Sequence, residues 1–207
     1  SGVILPPWKD RRGGSGGGFA MSGYGLGPGF FLVCVDYERI LREGAQSIID
    51  EARQCLRDLR YTSGDAIEKK DYWEAVILVY EAWIRFAERY AALCEALAGE
   101  EKDPGREREL REMGRICRKG PRASAGSFRE ALQSFWLTFL MALPSPTTSA
   151  GRFDQYMWPY LQKDLAEGKI TEVEALELLE ILRCKVMKIN RVSGKANRAK
   201  NAGMAKW

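Results

Sequence analysis

The residues of this chain whose types could do chemistry are few, and one type is absent. Its 207 residues include no histidine, which excludes Ser-His, Cys-His and His-metal mechanisms within this stretch. The five cysteines, Cys34, Cys55, Cys94, Cys117 and Cys184, form no CxxC pair and are odd in number. That spacing disfavours a zinc site and a secreted disulfide framework, and it predicts reduced thiols in a cytoplasmic protein. Each cysteine falls in an apolar run or helical stripe, so each is expected to be buried as a small hydrophobe. The glycine-dense stretch Gly13–Gly29 could cradle a phosphate, but no Gly-Lys-Ser/Thr follows it and no helix opens behind it. It reads as a linker or loop. No metal ligand set and no catalytic residue is assigned.

The elements that must position any site are mostly helical. Phe30–Val35 is a continuous apolar run and the one strand expected. Asp36 caps a helix predicted to run to about Leu59. Asp65 opens the longest helix, to about Leu97, with a stripe of Trp73, Val76, Ile77, Tyr80, Trp83, Ile84 and Ala87. A charged helix spans Gly105–Arg118. Ser127 with Glu130 reads as a capping box for a helix over Phe128–Leu143 that is apolar nearly all round. Pro144 and Pro146 end it, and Thr147, Thr148 and Ser149 are expected to form a polar loop. A helix over Phe153–Glu167 closes at Gly168. Thr171 with Glu174 opens the last, to about Ile189, with a core stripe of Val173, Leu176, Leu179, Leu182 and Val186. Two of these helices, the longest and Phe128–Leu143, are too apolar for the others to cover, which predicts a missing burying partner.

Charge and hydropathy narrow the partners. The net charge of +4 does not by itself point to nucleic acid. The basic tail from Asn190 lacks aromatic interleaving, so it reads as solvated loop. No apolar run approaches the ~20 residues that cross a bilayer. The chain starts at Ser1 without a signal peptide or initiator Met, which suggests a piece of something longer.

Four segments carry a family resemblance: Asp36-Tyr37-Glu38-Arg39-Ile40-Leu41-Arg42-Glu43-Gly44, Phe86-Ala87-Glu88-Arg89-Tyr90-Ala91, Ser127-Phe128-Arg129-Glu130-Ala131-Leu132-Gln133-Ser134-Phe135-Trp136, and Gly151-Arg152-Phe153-Asp154-Gln155-Tyr156-Met157-Trp158-Pro159-Tyr160. In this order they resemble the pyruvate formate-lyase family of glycyl radical enzymes, from Asp36 to Trp207. The resemblance implies a fold that is mainly α in this stretch, the helical part of a ten-stranded α/β barrel, with residues 1–35 as a Gly-rich irregular segment and 36–207 as the helical domain. It implies a radical lyase, dehydratase, decarboxylase or formate acetyltransferase chemistry on a small-molecule substrate. A glycyl radical would be installed by an activating enzyme carrying an iron–sulfur cluster and S-adenosylmethionine. The partners implied are that activating enzyme, the remainder of the barrel and a second copy in a homodimer, with neither nucleic acid nor membrane.

The same resemblance sets the site expectations. Neither the Gly-Cys loop of the family nor its glycyl radical loop occurs in these 207 residues, so no catalytic residue is expected and the chain alone is expected to be inactive. Arg191-Val192-Ser193-Gly194 imitates the radical loop, but Lys195 stands where an aromatic belongs, and Gly194 reads as a helix C-cap. Apolar Phe31-Leu32 replaces the usual Gly-His pair. The segment before Gly151 borders the active site in related dehydratases, which makes Thr147, Thr148 and Ser149 the substrate-binding candidates; capping of the next helix is the competing role. Arg152, Asp154 and Gln155 of the motif are expected to be structural, with Arg152 and Asp154 as an ion pair bracing the backbone. The competing functions are a non-catalytic helical scaffold or interaction module, and a nucleic-acid-binding helical protein using the tail.

Overall fold

A computed structural model describes residues 32–61, 64–142 and 147–187. Seven helices lie among them: α1 (Tyr37–Glu43), α2 (Ala45–Arg57), α3 (Ala66–Glu100), α4 (Pro104–Lys119), α5 (Phe128–Ala142), α6 (Phe153–Ala166) and α7 (Glu172–Met187). Two short strands, β1 (Leu32–Cys34) and β2 (Thr147–Ser149), join them. The chain divides into two compact units. One comprises Val35–Met141 and Ala150–Glu172, and the other gathers the remaining segments, including both strands and Val173 onward.

In the first unit the helix expected from Asp36 to Leu59 is two helices. Asp36 does cap the first, its Oδ1 accepting from Arg39 N at 3.0 Å. The break is at Gly44, whose φ of 80° lies where side-chain-bearing residues are strained. A Cβ there would stand 2.5 Å from the Arg122 carbonyl oxygen and 2.7 Å from Ala123. That close approach caps α2 without a side chain. Ala45 N donates to Pro121 O at 2.9 Å and Gln46 N to Arg122 O at 3.0 Å, so loop carbonyls satisfy two orphan donors.

The long helix α3 packs on α2 and α4. Ile40, Ala45, Ile48, Ile49, Trp83 and Ile84 make one buried cluster, and Ala87, Ala91, Cys117 and Leu137 another. Gly114 lets α4 approach closely, since a Cβ there would meet Ala91 O at 3.3 Å. Asp103 caps α4, accepting from Gly105 N and Arg106 N. Helix α5 lies in the middle, with Phe128, Ala131, Leu132, Phe135, Leu137 and Phe139 buried. The expectation that it lacks cover therefore fails. Open apolar surface lies on α3, where Ile67, Leu78, Val79, Leu93 and Leu97 are exposed, and on α7, where Val173, Leu176 and Ile181 are. For the longest helix the same expectation holds: α3 carries apolar residues outside its core stripe, and at 3.6 residues per turn they fall on its far side.

In the second unit β1 and β2 pair in parallel, Leu32 opposite Thr147, Val33 opposite Thr148 and Cys34 opposite Ser149. The run Phe30–Val35 thus holds the strand expected of it, whereas the expected loop at Thr147–Ser149 is a strand. Its β-branched threonines suit extended backbone, and the flanking prolines masked that signal. Helix α7 begins at Glu172, one residue after the predicted cap Thr171. Its predicted core stripe is not all buried: Val173 and Leu176 are exposed and Ala175 is the buried residue. The glycine-dense segment before Phe31, the Arg191–Gly194 sequence and the basic tail lie outside the described residues.

Candidate functional site

Three of the four motif segments converge in the first unit. Tyr37 from α1, Phe135 from α5, and Phe153 and Tyr156 from α6 form one aromatic cluster. Tyr37 and Phe135 have ring centroids 4.9 Å apart, Phe135 and Phe153 4.9 Å, and Tyr37 stacks on Tyr156 at 5.6 Å. Offset and edge-on contacts of this kind add to the area buried. The Tyr156 hydroxyl donates to Ala150 O at 2.6 Å, folding the motif's own start back onto its helix. The fourth segment enters through Phe86, Ala87 and Ala91, packed with Cys117 and Leu137.

Two carboxylates lock this crossing. Buried Asp164 accepts from Phe128 N at 2.7 Å, so the far end of α6 caps the start of α5. Its Oδ1 is buried and has no partner among the described residues. Glu130 accepts from Lys119 Nζ at 2.6 Å, Gly126 N at 2.8 Å and Arg115 at 3.3 Å. Burial pushes its carboxyl up, but the Lys119 ammonium, the Gly126 amide and Arg115 together hold it below its ordinary value. The predicted capping box is half formed as drawn. Ser127 Oγ accepts from Glu130 N at 3.2 Å, while the Glu130 carboxylate reaches one residue further back, to Gly126.

Arg152 and Asp154 form the expected ion pair, Nε to Oδ1 at 3.1 Å and Nη2 to Oδ2 at 2.9 Å. The pair is solvent-exposed, and the Arg152 guanidinium holds the Asp154 carboxyl below its usual range. Gln155 is on the first turn of α6, its N–H donating to Arg152 O at 2.9 Å. Thr147, Thr148 and Ser149 are the three residues of β2, paired through their backbones with β1. The helix that follows them is capped at Arg152, so they are not its caps. The structure thus brings Arg152, Asp154 and Gln155 together on one turn and places the hydroxyl residues on a separate strand.

Sequence reasoning missed a cleft beside the aromatic cluster. It has a volume of about 470 Å³ and is lined by Glu38, Arg42, Gly126, Gln155, Tyr160 and Lys163, among others. The signal was present: Glu38 and Arg42 are four apart on α1, and Tyr156, Tyr160 and Lys163 recur at helical spacing on α6. Burial pushes the Tyr160 hydroxyl above its ordinary value, with Arg42 drawing it back. This cleft can hydrogen-bond and balance charge, but it holds no nucleophile paired with a base. No group of three or more metal-ligating side chains occurs among the described residues. Cys117 is buried, and burial raises its thiol to about 11. Cys94 is also buried, but Cys184 is exposed, against the expectation that every cysteine is packed away. It sits on α7, most of whose residues face solvent.

A helical assembly crossed by these motifs, in a chain that also carries a parallel strand pair, defines a class: the helical part of a glycyl radical enzyme barrel. The chain belongs to the pyruvate formate lyase-like family, whose profile matches residues 25–207. It is 44% identical over 152 residues to an isethionate sulfite-lyase of Nitratidesulfovibrio vulgaris, covering 71% of this chain and 18% of that protein. It is 30% identical to a (2S)-3-sulfopropanediol dehydratase of Klebsiella oxytoca, covering 83% of this chain and 21% of the relative. The glycerol-bound B12-independent glycerol dehydratase of Clostridium butyricum superposes with a TM-score of 0.76 at 36% identity, over 82% of this chain and 22% of that one. The chain spans about a fifth of the length of the relatives it matches.

Proposed function

We propose that this chain supplies the helical shell and one parallel strand pair of a glycyl radical lyase or dehydratase that eliminates a group from a small hydroxylated substrate. The observation that carries this reading is the crossing of Tyr37, Phe135, Phe153 and Tyr156, because it joins the residues of three motif segments at one point. Two relatives support the substrate class, since they act on isethionate and on a sulfopropanediol. The role of these residues is enclosure and orientation, with Thr147, Thr148 and Ser149 as the hydroxyls offered to substrate. The cysteine and glycyl radical loops belong to the remainder of the barrel, and an iron–sulfur activating enzyme using S-adenosylmethionine installs the radical. By itself the chain is inactive.

A chimera tests this. The matching 152-residue segment of the Nitratidesulfovibrio isethionate sulfite-lyase is replaced by its counterpart here. The chimera is then activated anaerobically and assayed by electron paramagnetic resonance and by sulfite release. The expected result is a glycyl radical signal and turnover, with neither from the 207-residue chain alone. A folded chimera that takes up the radical but turns over no hydroxylated substrate overturns the substrate class. One that takes up no radical overturns the assignment to the shell.

A further inference from the structure

A cavity of about 190 Å³ opens between α1, α2 and α3, wholly within the first unit, and it shares no lining residue with the cleft beside α6. Buried Ile40 and Ile48, with half-buried Val76, give it an apolar base. Trp73, Val76 and Tyr80 recur at three- and four-residue spacing, which puts them on one face of α3. Tyr72 is 60% exposed and stands edge-on to Trp73, with ring centroids 4.9 Å apart and planes at 71°. Three aromatic rings thus line one small space. Charged groups from α1 and α2 complete it. Arg39, the one cation among the lining residues, is already held: its Nε donates to Glu43 at 3.0 Å and its Nη2 meets Glu51. Asp36 commits Oδ1 to the Arg39 amide at the cap of α1 and enters no ion pair among the described residues. Burial pushes the Tyr80 hydroxyl above its ordinary value, and the charges of Arg39 and Asp36 both reach it.

We propose that this cavity binds a small alkylammonium ion, with its charge against the Trp73 and Tyr80 rings and the Asp36 carboxylate and its alkyl groups on Ile40, Ile48 and Val76. The lining carries the Asp36 and Glu51 carboxylates against one engaged guanidinium, so it is net negative. The ring faces add the negative end of their quadrupoles. Both features attract a cation and repel an anion. A bare metal ion suits the site poorly: hard cations need several oxygen ligands, and no group of three or more metal-ligating side chains occurs among the described residues. An organic cation uses the rings, the carboxylate and the apolar base together. The site lies apart from the residues of the catalytic reading, so either proposal can fail without the other.

Titrating the 207-residue chain with tetramethylammonium chloride, followed by proton–nitrogen NMR at constant total salt so that screening does not change, tests it. The expected result is saturable shifts at the Trp73 indole and at amides around the cavity, with a Kd on the order of 1 mM. Neutral 2-methyl-2-propanol, of similar shape, should bind at least about tenfold more weakly. Asp36→Asn keeps a capping side chain, so helical circular dichroism should hold while binding weakens about threefold. Trp73→Leu removes the ring face and should weaken binding about tenfold. If that variant loses helical circular dichroism, Tyr72→Leu at the exposed ring takes its place, with a loss of about threefold. Shifts that do not saturate overturn the proposal. A neutral analogue that binds as tightly reduces the site to an apolar groove and overturns it too, as do variants that bind like the parent.

Discussion

The crossing beneath the motif helices and the outer face of α3 are built from the same residue types, yet they end in opposite environments. At the crossing Tyr37, Phe128 and Leu137 are among the most completely buried side chains in the molecule. On α3, Leu78 and Val79 meet water only a turn away from buried Trp83. The difference lies in backbone chemistry rather than hydrophobicity. The crossing is held by groups that fix where its helices start: Asp164 on Phe128 N, Glu130 on Gly126 N, and loop carbonyls on Ala45 N and Gln46 N. The outer face of α3 has no such constraint, because a continuous helix satisfies its own backbone whether or not its side chains are covered.

The comparison breaks most sharply at Phe135. Phe135→Ala removes a ring that touches Tyr37, Phe153 and Phe139. A loss of about 3–5 kcal/mol in denaturant unfolding is expected. Gly44→Ala is next. Its Cβ would collide with Arg122 and Ala123 in a φ that favours glycine, at a cost of about 2–4 kcal/mol by the same measurement. Glu130→Gln keeps the shape and removes the charge that Lys119 and Arg115 face, for about 1–2 kcal/mol. That carboxyl sits below its ordinary 4.5 in the folded chain. Its contribution is therefore complete above that value and lost as the pH falls below it. A stability–pH titration should show an acid-side slope in the parent that is reduced in Glu130→Gln. Leu78→Lys should be smallest, within about 0.5 kcal/mol, since the side chain has little packing to lose.

The sequence was most readable where a capping residue or a long apolar period stood alone. Asp36, Asp65 and Ser127 fixed the starts of α1, α3 and α5 to within a residue. The Arg152–Asp154 pair was legible because its members are two residues apart and meet locally. Gly44 was not, because the reason for glycine there is a loop about eighty residues downstream, invisible to local periodicity. β2 was hidden for a similar reason, since a parallel strand depends on a partner far away in sequence. The stripe proposed for α7 holds only in part, with Leu179, Leu182 and Val186 half-buried but Val173 and Leu176 exposed, because apolar spacing shows which side is greasy and burial needs a neighbour to cover it. The cleft between α1 and α6 needed both helices placed before Arg42 and Lys163 could be seen as neighbours of one space.

Two three-residue parallel strands are too short a sheet to be stable by themselves. The helical interior is well packed, whereas the described sheet is only two short strands. Amide hydrogen exchange of the 207-residue chain, read by mass spectrometry, tests that contrast directly. The predicted result is strong protection across Leu132–Phe139 of α5 and rapid exchange at Thr147–Ser149 of β2. Strand amides as slowly exchanging as those of α5 would contradict it, because the two short strands would then be as stable as the helical core.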